Sequence, residues 1–164
     1  MRFTTKTEYG LVCLTYMARN HPEVMITIKE IVKNEQFSST YIEKILQKLR
    51  SSNIVVSHQG KQGGYKLARR PSEITLKEII DALEGGHTFD IRTFAVYCKP
   101  DLRQKIVCTH FSMCGLRPVW EKTKELLDQF YGSVTLDIIA KAEHEVKSLV
   151  AVSSSDGEIK DGSS

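Results

Sequence analysis

Three of the four cysteines are the residues best suited to chemistry in this 164-residue chain. Cys98, Cys108 and Cys114 follow the pattern C-x9-C-x5-C in a stretch without helical or strand periodicity. Thiolates bind soft metal ions, but this spacing lacks the C-x2-C pairs of common zinc ribbons and ferredoxins. The spacing alone therefore predicts a metal site of unassigned type. Cys13 instead lies on the apolar face of a predicted helix, which favours a place in the core.

The rest of the composition narrows the class of protein. No run of the sequence approaches the roughly 18 apolar residues that a membrane span needs, and the N-terminus lacks the apolar run of a signal peptide. We therefore expect a cytoplasmic protein without a membrane partner, where a reducing environment disfavours disulfides. No nucleophile with its base and no catalytic pair of carboxylates is recognisable, so we expect neither an enzyme nor a small-molecule substrate.

The charge is distributed unevenly along the chain. Residues 1–70 carry 12 Lys and Arg against 5 Asp and Glu, a net charge of +7, whereas residues 71–164 carry 11 against 15, a net charge of −4. A basic N-terminal half is typical of a surface that neutralises phosphates. Solvated lysines scattered over an ordinary surface would give the same count.

Three helices are predicted within the basic half. Capping pairs mark the first two starts, Thr5 with Glu8 and Thr27 with Glu30, and Ser38 or Ser39 is a suitable N-cap for the third. The predicted helices cover residues 6–19, 28–34 and 40–50. The third helix carries apolar residues at i, i+3, i+4 and i+7, namely Ile42, Ile45, Leu46 and Leu49, and polar residues on another face, namely Tyr41, Lys44 and Lys48. Two short helices joined by a tight turn match a helix-turn-helix.

A predicted β-hairpin follows the third helix directly. Residues 54–58 and 65–67 have strand character, and they flank the basic, glycine-rich segment 59–64. A hairpin at this position is the wing of a winged helix, and its glycines allow a backbone to approach DNA closely. Neither the Walker pattern nor GxGxxG is present, which argues against a nucleotide-binding loop.

The C-terminal half contains three further predicted helices. Thr75 with Glu78 caps a short helix that stops at Gly85, a second helix covers residues 117–131, and a third runs from Thr135 to about Leu149. In the second helix Val119, Leu126, Leu127 and Phe130 share one face, beside Trp120. That face fits equally well against a second copy of the chain or against its own winged helix.

We therefore predict a mainly α fold with a small β-hairpin wing, in which a winged helix-turn-helix is followed by a long C-terminal dimerisation helix. The predicted divisions are a DNA-binding domain over 1–85, a cysteine-bearing loop over 86–116, a dimerisation helix with a C-terminal helix over 117–150, and a disordered tail over 151–164.

Four sequence blocks occur in an order that resembles a known family. They are MRFTTKTEYG at the start, STYIEKILQKLR in the third helix, GKQGGYKL in the wing and TLKEIIDALEG after it. Together they resemble the Rrf-type family of winged-helix transcriptional regulators, to which IscR, NsrR and RirA belong. The resemblance extends from residue 1 to about residue 140. It implies a homodimer whose long helices cross and whose two winged helices bind a palindromic site in double-stranded DNA.

The resemblance also implies which residues meet DNA. They are Ser39, Thr40, Tyr41, Glu43 and Lys44 in the recognition helix, and Gln59, Lys61, Gln62 and Gly63 at the wing tip. The IscR-like pattern has an arginine beside the wing where this chain has Gln59. A carboxylate such as Glu43 can accept a hydrogen bond from cytosine N4, although capping with Thr40 is an equally compatible role.

The family's cluster-binding members carry three cysteines in the same loop, which implies that Cys98, Cys108 and Cys114 hold an iron–sulfur cluster, either [2Fe–2S] or [4Fe–4S]. Cys108 and Cys114 keep the family's C-x5-C interval, whereas the first interval is longer than its usual five to seven. In relatives of the NsrR kind a carboxylate near the partner's N-terminus fills the remaining iron position, and Glu8 stands there in this chain. A capping role for Glu8 and a ligand role for His110 are the alternatives.

The resemblance thus implies a repressor whose DNA affinity responds to redox state, nitric oxide or iron and cluster status. The alternative is a regulator of the same fold that uses its cysteines as a thiol switch or zinc site without a cluster.

Overall fold

A computed structural model describes residues 3–20, 23–35, 37–60, 63–85 and 114–152. The predicted site residues Lys61, Gln62, Cys98, Cys108 and His110 lie outside these ranges, as do residues 153–164 of the predicted disordered tail. The predicted start of that tail at residue 151 is wrong, because the last helix continues to Val152. The helices and strands are α1 (Thr5–Asn20), α2 (Ile28–Glu35), α3 (Ser39–Ser51), β1 (Val55–His58), β2 (Gly64–Leu67), α4 (Leu76–Glu84), α5 (Leu116–Ser133), α6 (Leu136–Ile139) and α7 (Glu143–Val152), with a 3-10 turn at Pro71–Glu73. The predicted element order is confirmed up to α5.

The core forms where α1, α3 and α4 pack together. All four apolar residues predicted for the inner face of α3 are at most 1% exposed, and Cys13 on α1 is fully buried as predicted. Burying one Leu or Ile side chain contributes roughly 1.5–3 kcal/mol, so this stripe fixes how α3 is rotated. The opposite face of α3 is consequently turned toward solvent.

The hairpin pairs β1 with β2 in antiparallel register, from Val55 opposite Leu67 to His58 opposite Gly64. Ile26, which precedes α2, exchanges two backbone hydrogen bonds with Tyr65, at 2.8 and 2.9 Å. Gly64 permits this contact because a Cβ there would lie 2.6 Å from the Ile26 carbonyl oxygen. The start of the helix-turn-helix and the wing are therefore held in one fixed arrangement.

Two of the predicted caps are confirmed. Thr75 and Glu78 form a full capping box at the start of α4, which ends on Gly85 in the left-handed conformation at φ 82°. At α2, the Thr27 amide donates to Glu30 Oε2 at 2.6 Å and the Glu30 amide donates to Thr27 Oγ1 at 3.3 Å. Both pairs join residues three apart, which is the spacing from which they were predicted.

The prediction of one continuous helix from Thr135 to Leu149 is wrong. The structure has α6 and α7 with a break at residues 140–142. The Arg19 guanidinium donates to the Ala140 and Lys141 carbonyl oxygens at 2.6 and 3.2 Å, and Glu145 Oε2 accepts from the Ala142 amide at 3.0 Å. The hydrogen bonds from Arg19 satisfy carbonyls at the end of α6, and the cap from Glu145 begins α7.

The segment after α5 returns to the winged helix. The Leu76 amide donates to the Val134 carbonyl at 2.7 Å, and the Leu136 amide donates to the Ile74 carbonyl at 2.8 Å. Leu136 is fully buried in the core. The C-terminal end of α5 is thus joined to the start of α4. No helix in the described ranges has both the length and the apolar character needed to cross a lipid bilayer.

Candidate nucleic-acid interface and cysteine region

The solvent-facing side of α3 and the hairpin enclose an open groove of about 630 Å³. Its polar side chains come from three elements: Thr27 and Lys29 at the start of α2, Glu43, Gln47 and Arg50 on α3, and Ser57, His58 and Gln59 on the wing. Arg50 Nη1 donates to Ser57 Oγ at 3.0 Å, which joins the end of α3 to β1. The groove therefore presents donors, acceptors and positive charge on a rigid frame.

Of the seven described site residues predicted on α3 and the wing, three line the groove and three more are exposed on α3. Glu43, Gln59 and Gly63 line the groove, and Ser39, Thr40 and Lys44 are exposed on α3. Glu43 Oε1 accepts a hydrogen bond from Gln47 Nε2 at 3.4 Å, so its partner lies one turn later in α3.

Tyr41 differs from the other predicted site residues because it is half-buried. Its ring meets Tyr9 edge to face with centroids 5.7 Å apart, and Tyr9 stacks on Phe37 at 4.0 Å. This aromatic cluster packs against the core between α1 and the start of α3. The structure therefore gives Tyr41 a packing role next to the groove.

Sequence reasoning missed six polar groove residues as site residues: Thr27, Lys29, Gln47, Arg50, Ser57 and His58. The spacing of Glu43 and Gln47 at i and i+4 is a detectable pattern, because residues four apart share a helix face. Arg50 and His58 carry no such pattern, since their common surface exists only once the hairpin folds beside α3.

Lys48 was predicted on the polar face of α3 with Tyr41 and Lys44, but it points toward α4 instead. It is half-buried, and its Nζ donates to the Leu83 carbonyl at 2.8 Å, near the C-terminal end of α4. Burial and the nearby charge of Lys6 lower the pKa of the Lys48 ammonium. Lys48 thus links the recognition helix to the end of α4.

The predicted Thr5–Glu8 capping box is wrong. The helix starts at Thr5, and the carbonyl of Thr4 accepts from the Thr7 and Glu8 amides at 2.9 and 3.2 Å. Glu84, the last residue of α4, takes the capping role instead. Its Oε1 accepts from the Thr4 amide at 3.0 Å, from Thr4 Oγ1 at 2.7 Å and from Thr7 Oγ1. Glu8 is exposed.

Glu84 is held as a carboxylate by these bonds. Burial by itself would raise its pKa, but the hydrogen bonds from Thr7 and Thr4 and the charge of Lys6 lower the pKa below the ordinary value for glutamate. Gly85 follows directly as the C-cap of α4. The point where the chain leaves α4 toward residues 86–113 is therefore fastened to the start of α1.

Cys114 is the described member of the predicted cysteine set. It is half-buried just before α5, and its carbonyl accepts from the Arg117 amide at 3.4 Å. Within the described ranges, no three His, Cys, Asp or Glu side chains lie close enough together to hold a metal ion. The other two cysteines of the set lie outside those ranges, so the predicted ligands are not tested as a group.

One face of α5 leaves large apolar side chains in solvent. Leu116, Val119 and Leu126 are 61, 55 and 54% exposed, and Phe130 is exposed as well. The other side of the helix packs on α4, where Lys77 Nζ lies 3.4 Å from Asp128 Oδ1. Packing on the chain's own winged helix therefore accounts for only one side of α5.

A helix-turn-helix joined to a hairpin wing, with a polar groove between them, defines a winged-helix DNA-binding protein. The chain belongs to the Rrf2 family, described as iron-dependent transcriptional regulators, whose pattern matches residues 3–142. Residues 3–142 include all elements from α1 to α6.

Known proteins from several bacteria are similar to this chain. The transcriptional regulator IscR of Xenorhabdus nematophila is 27% identical, over 86% of this chain and 80% of its own. Among solved structures, IscR of T. potens is 30% identical with a TM-score of 0.63, covering 88% of this chain and 90% of its own. CymR, the global cysteine regulator of B. subtilis, is 27% identical with a TM-score of 0.58, covering 85% and 96%. The chain is accordingly a helix-turn-helix transcriptional regulator, and its relatives are regulators, not enzymes.

Proposed function

We propose that the protein is a repressor that binds a palindromic site in double-stranded DNA as a homodimer and adjusts its DNA affinity through an iron–sulfur cluster. The observation that carries the DNA-binding part is the groove between α3 and the wing, because its polar side chains face outward on a frame fixed by the buried stripe of α3. An α-helix fits the major groove of B-form DNA, where each base pair presents a distinct set of donors and acceptors.

We assign base contacts to α3, and phosphate contacts to the wing tip and the start of α2. Glu43, in the middle of the exposed face of α3, is suited to accept from cytosine N4, with Ser39, Thr40 and Lys44 on the same exposed surface. Lys61 at the wing tip and Lys29 at the start of α2 are suited to phosphate contacts, since phosphate contacts from lysine supply affinity without reading sequence.

The exposed face of α5 supports the homodimer. Leu116, Val119, Leu126 and Phe130 are separated by 3, 7 and 4 residues, which is the spacing of a two-helix seam. Apolar side chains at these positions are desolvated when a second copy of α5 packs against them. Two-fold pairing of α5 presents two winged helices and thus matches a palindromic site.

Cys98, Cys108 and Cys114 are the proposed cysteine ligands of the cluster, which would supply an oxidant-sensitive or nitric-oxide-sensitive group. The family's description as iron-dependent and the likeness to IscR support this assignment. Glu8 is the proposed fourth ligand, supplied by the partner subunit. Its carboxylate is exposed, and Glu84 caps the helix in its place, so Glu8 is not required for the local cap.

The protein's own contacts provide a route from the cysteine loop to the DNA-binding surface. In the sequence, residues 86–113 connect Gly85, the C-cap of α4, with Cys114, which precedes α5. The end of α4 holds α1 through Glu84 and α3 through the Lys48–Leu83 hydrogen bond. A changed loop conformation would therefore act on the recognition helix through a short series of contacts.

A regulator with the same fold and no cluster is the second candidate, in which the cysteines act as a thiol switch or bind zinc. The likeness to CymR, a cysteine regulator, favours it. The two candidates differ in colour: an iron–sulfur protein purified without oxygen is brown, and a zinc protein is colourless.

The test is anaerobic purification of the full chain and of four Cys→Ala variants, followed by absorption spectra and by iron and sulfide analysis. We expect Cys98→Ala, Cys108→Ala and Cys114→Ala to lose the cluster and Cys13→Ala, the matched control from the core, to keep it. Glu8→Ala should retain a cluster with an altered spectrum, faster loss in air and an unchanged melting temperature. Wild-type protein without iron and sulfide would instead support the thiol or zinc candidate.

A further inference from the structure

Gln47 lines the groove one turn after Glu43, on the exposed face of α3. Its Nε2 donates to Glu43 Oε1 at 3.4 Å. Arg50, the next groove residue on α3, is held by Ser57 of the wing at 3.0 Å. Three residues of α3 line the groove: Glu43 is acidic, Arg50 is basic and already bonded to Ser57, and Gln47 between them has a neutral amide side chain.

The side-chain amide of Gln47 has the chemistry to recognise adenine. It combines a carbonyl acceptor with two N–H donors, and adenine presents the N7 acceptor beside the N6 donor in the major groove. If one N–H of Gln47 binds Glu43, the amide plane is fixed while the carbonyl oxygen and the second N–H remain for a base. We propose that Gln47 reads an adenine and that Glu43 orients its amide.

The spacing of the two residues fits neighbouring bases. Side chains at i and i+4 on a helix lie about 5–6 Å apart at Cβ. Successive bases of one strand rise about 3.4 Å along the DNA axis, so Gln47 and Glu43 would meet positions one or two base pairs apart. This inference rests on the proposed DNA-binding role of the groove, and it adds a second specificity-determining residue to Glu43.

A simpler role for the pair is support of the helix, since hydrogen-bonded pairs at i and i+4 stabilise helices slightly. The chain contains a matched pair for this role on α5, where Gln129 Nε2 donates to Glu125 Oε1 at 3.2 Å. That pair is exposed and lies outside the groove. Gln129→Ala therefore removes a Gln–Glu hydrogen bond of the same kind without changing the proposed DNA-binding groove.

The experiment selects binding sites from a library of randomised DNA duplexes with the full-length wild type, Gln47→Ala, Gln47→Glu and Gln129→Ala. We expect the wild type and Gln129→Ala to enrich the same motif with an adenine in each half-site. Gln47→Ala should reduce the preference at that position by roughly tenfold, the size of one good bidentate contact, with an unchanged salt dependence. Gln47→Glu, which keeps only acceptors, should move the preference toward cytosine.

An unchanged motif for both Gln47 variants would overturn the inference while leaving the DNA-binding proposal in place. Failure of the wild type to enrich any motif would overturn both. An equal loss of affinity in Gln47→Ala and Gln129→Ala, with the same motif retained, would assign Gln47 to helix support and so contradict the inference.

Discussion

Helices α3 and α5 are both amphipathic, but the apolar face of α3 is buried and that of α5 is exposed. The apolar stripe of α3, exemplified by Leu46, is fully buried within the chain. The apolar face of α5 has none of its residues buried, and Leu126 is 54% exposed. Periodicity therefore identifies an apolar face equally well in both helices, and only the tertiary structure tells whether the partner of that face lies in the same chain.

The largest difference between the two helices is expected for stability. Leu46→Ala removes a side chain that is fully buried among core residues and should lower the free energy of unfolding by about 2–5 kcal/mol. Leu126→Ala removes the same atoms from a solvent-exposed face. Its effect on the intrinsic stability of one subunit should be within about 0.5 kcal/mol. Urea unfolding of both variants under conditions that keep the protein monomeric makes the comparison, and equal losses would contradict it.

The next effect is expected for association. Leu126→Asp places a charge in the proposed α5 seam, where burial of an unpaired carboxylate is unfavourable, and should weaken the homodimer at least tenfold. Sedimentation velocity over a dilution series measures the change. Glu121→Ala, an exposed change on another side of α5, is the control and should leave the dimer intact. A dimer that survives Leu126→Asp with unchanged affinity would remove α5 from the interface.

The smallest effect is expected for Glu84 and depends on pH. Its pKa is lowered in the folded state, so its stabilising contribution is present above the ordinary glutamate pKa of about 4.3 and is lost as the pH falls through the folded value. Glu84→Gln should therefore cost about 1–2 kcal/mol at pH 7 and progressively less in acid.

Thermal unfolding from pH 7 to pH 3 tests this dependence. The matched control is Glu143→Gln, whose wild-type carboxylate is exposed and pairs with Lys147 at 2.7 Å. We expect the control to change the melting temperature at pH 7 much less than Glu84→Gln does, because an exposed ion pair contributes little to stability. A constant difference between wild type and Glu84→Gln across the range would show that the charge of Glu84 is not the source of its contribution.

The features that sequence predicted correctly depend on neighbours a few residues apart. The buried stripe of α3, the Thr27 and Thr75 caps and the hairpin belong to this group. The Thr5–Glu8 cap failed because α1 begins one residue earlier than predicted, and Glu84, 80 residues from Thr4, accepts from the Thr4 amide at its start. The helix break at residues 140–142 was missed for a similar reason, because Arg19 binds there from a distant helix.

The residues of the candidate site also divide into those that could be found from the sequence and those that required the folded structure. Glu43 was found through a family resemblance, whereas Arg50 and His58 became visible only when the wing enclosed the groove beside α3. Exposed polar residues produce no periodic pattern of their own, so the sequence alone does not separate a DNA contact from an ordinary surface side chain. The ligand roles of Cys98, Cys108, Cys114 and Glu8 stay predictions.

The backbone bridge between Thr75 and Thr135 gives α5 the mechanics of a lever. The bridge acts as a fulcrum just after the C-terminal end of α5, and Cys114 lies just before the N-terminal end of this 18-residue helix. With a helical rise of 1.5 Å per residue, the arm is about 27 Å long, so a tilt of about 5° moves the Cys114 end by about 2 Å while the fulcrum stays in place. In the proposed homodimer, a displacement of the Cys114 end of α5 would act on the winged helix as a torque, and two crossing α5 helices would convert it into a change in the angle between the two winged helices.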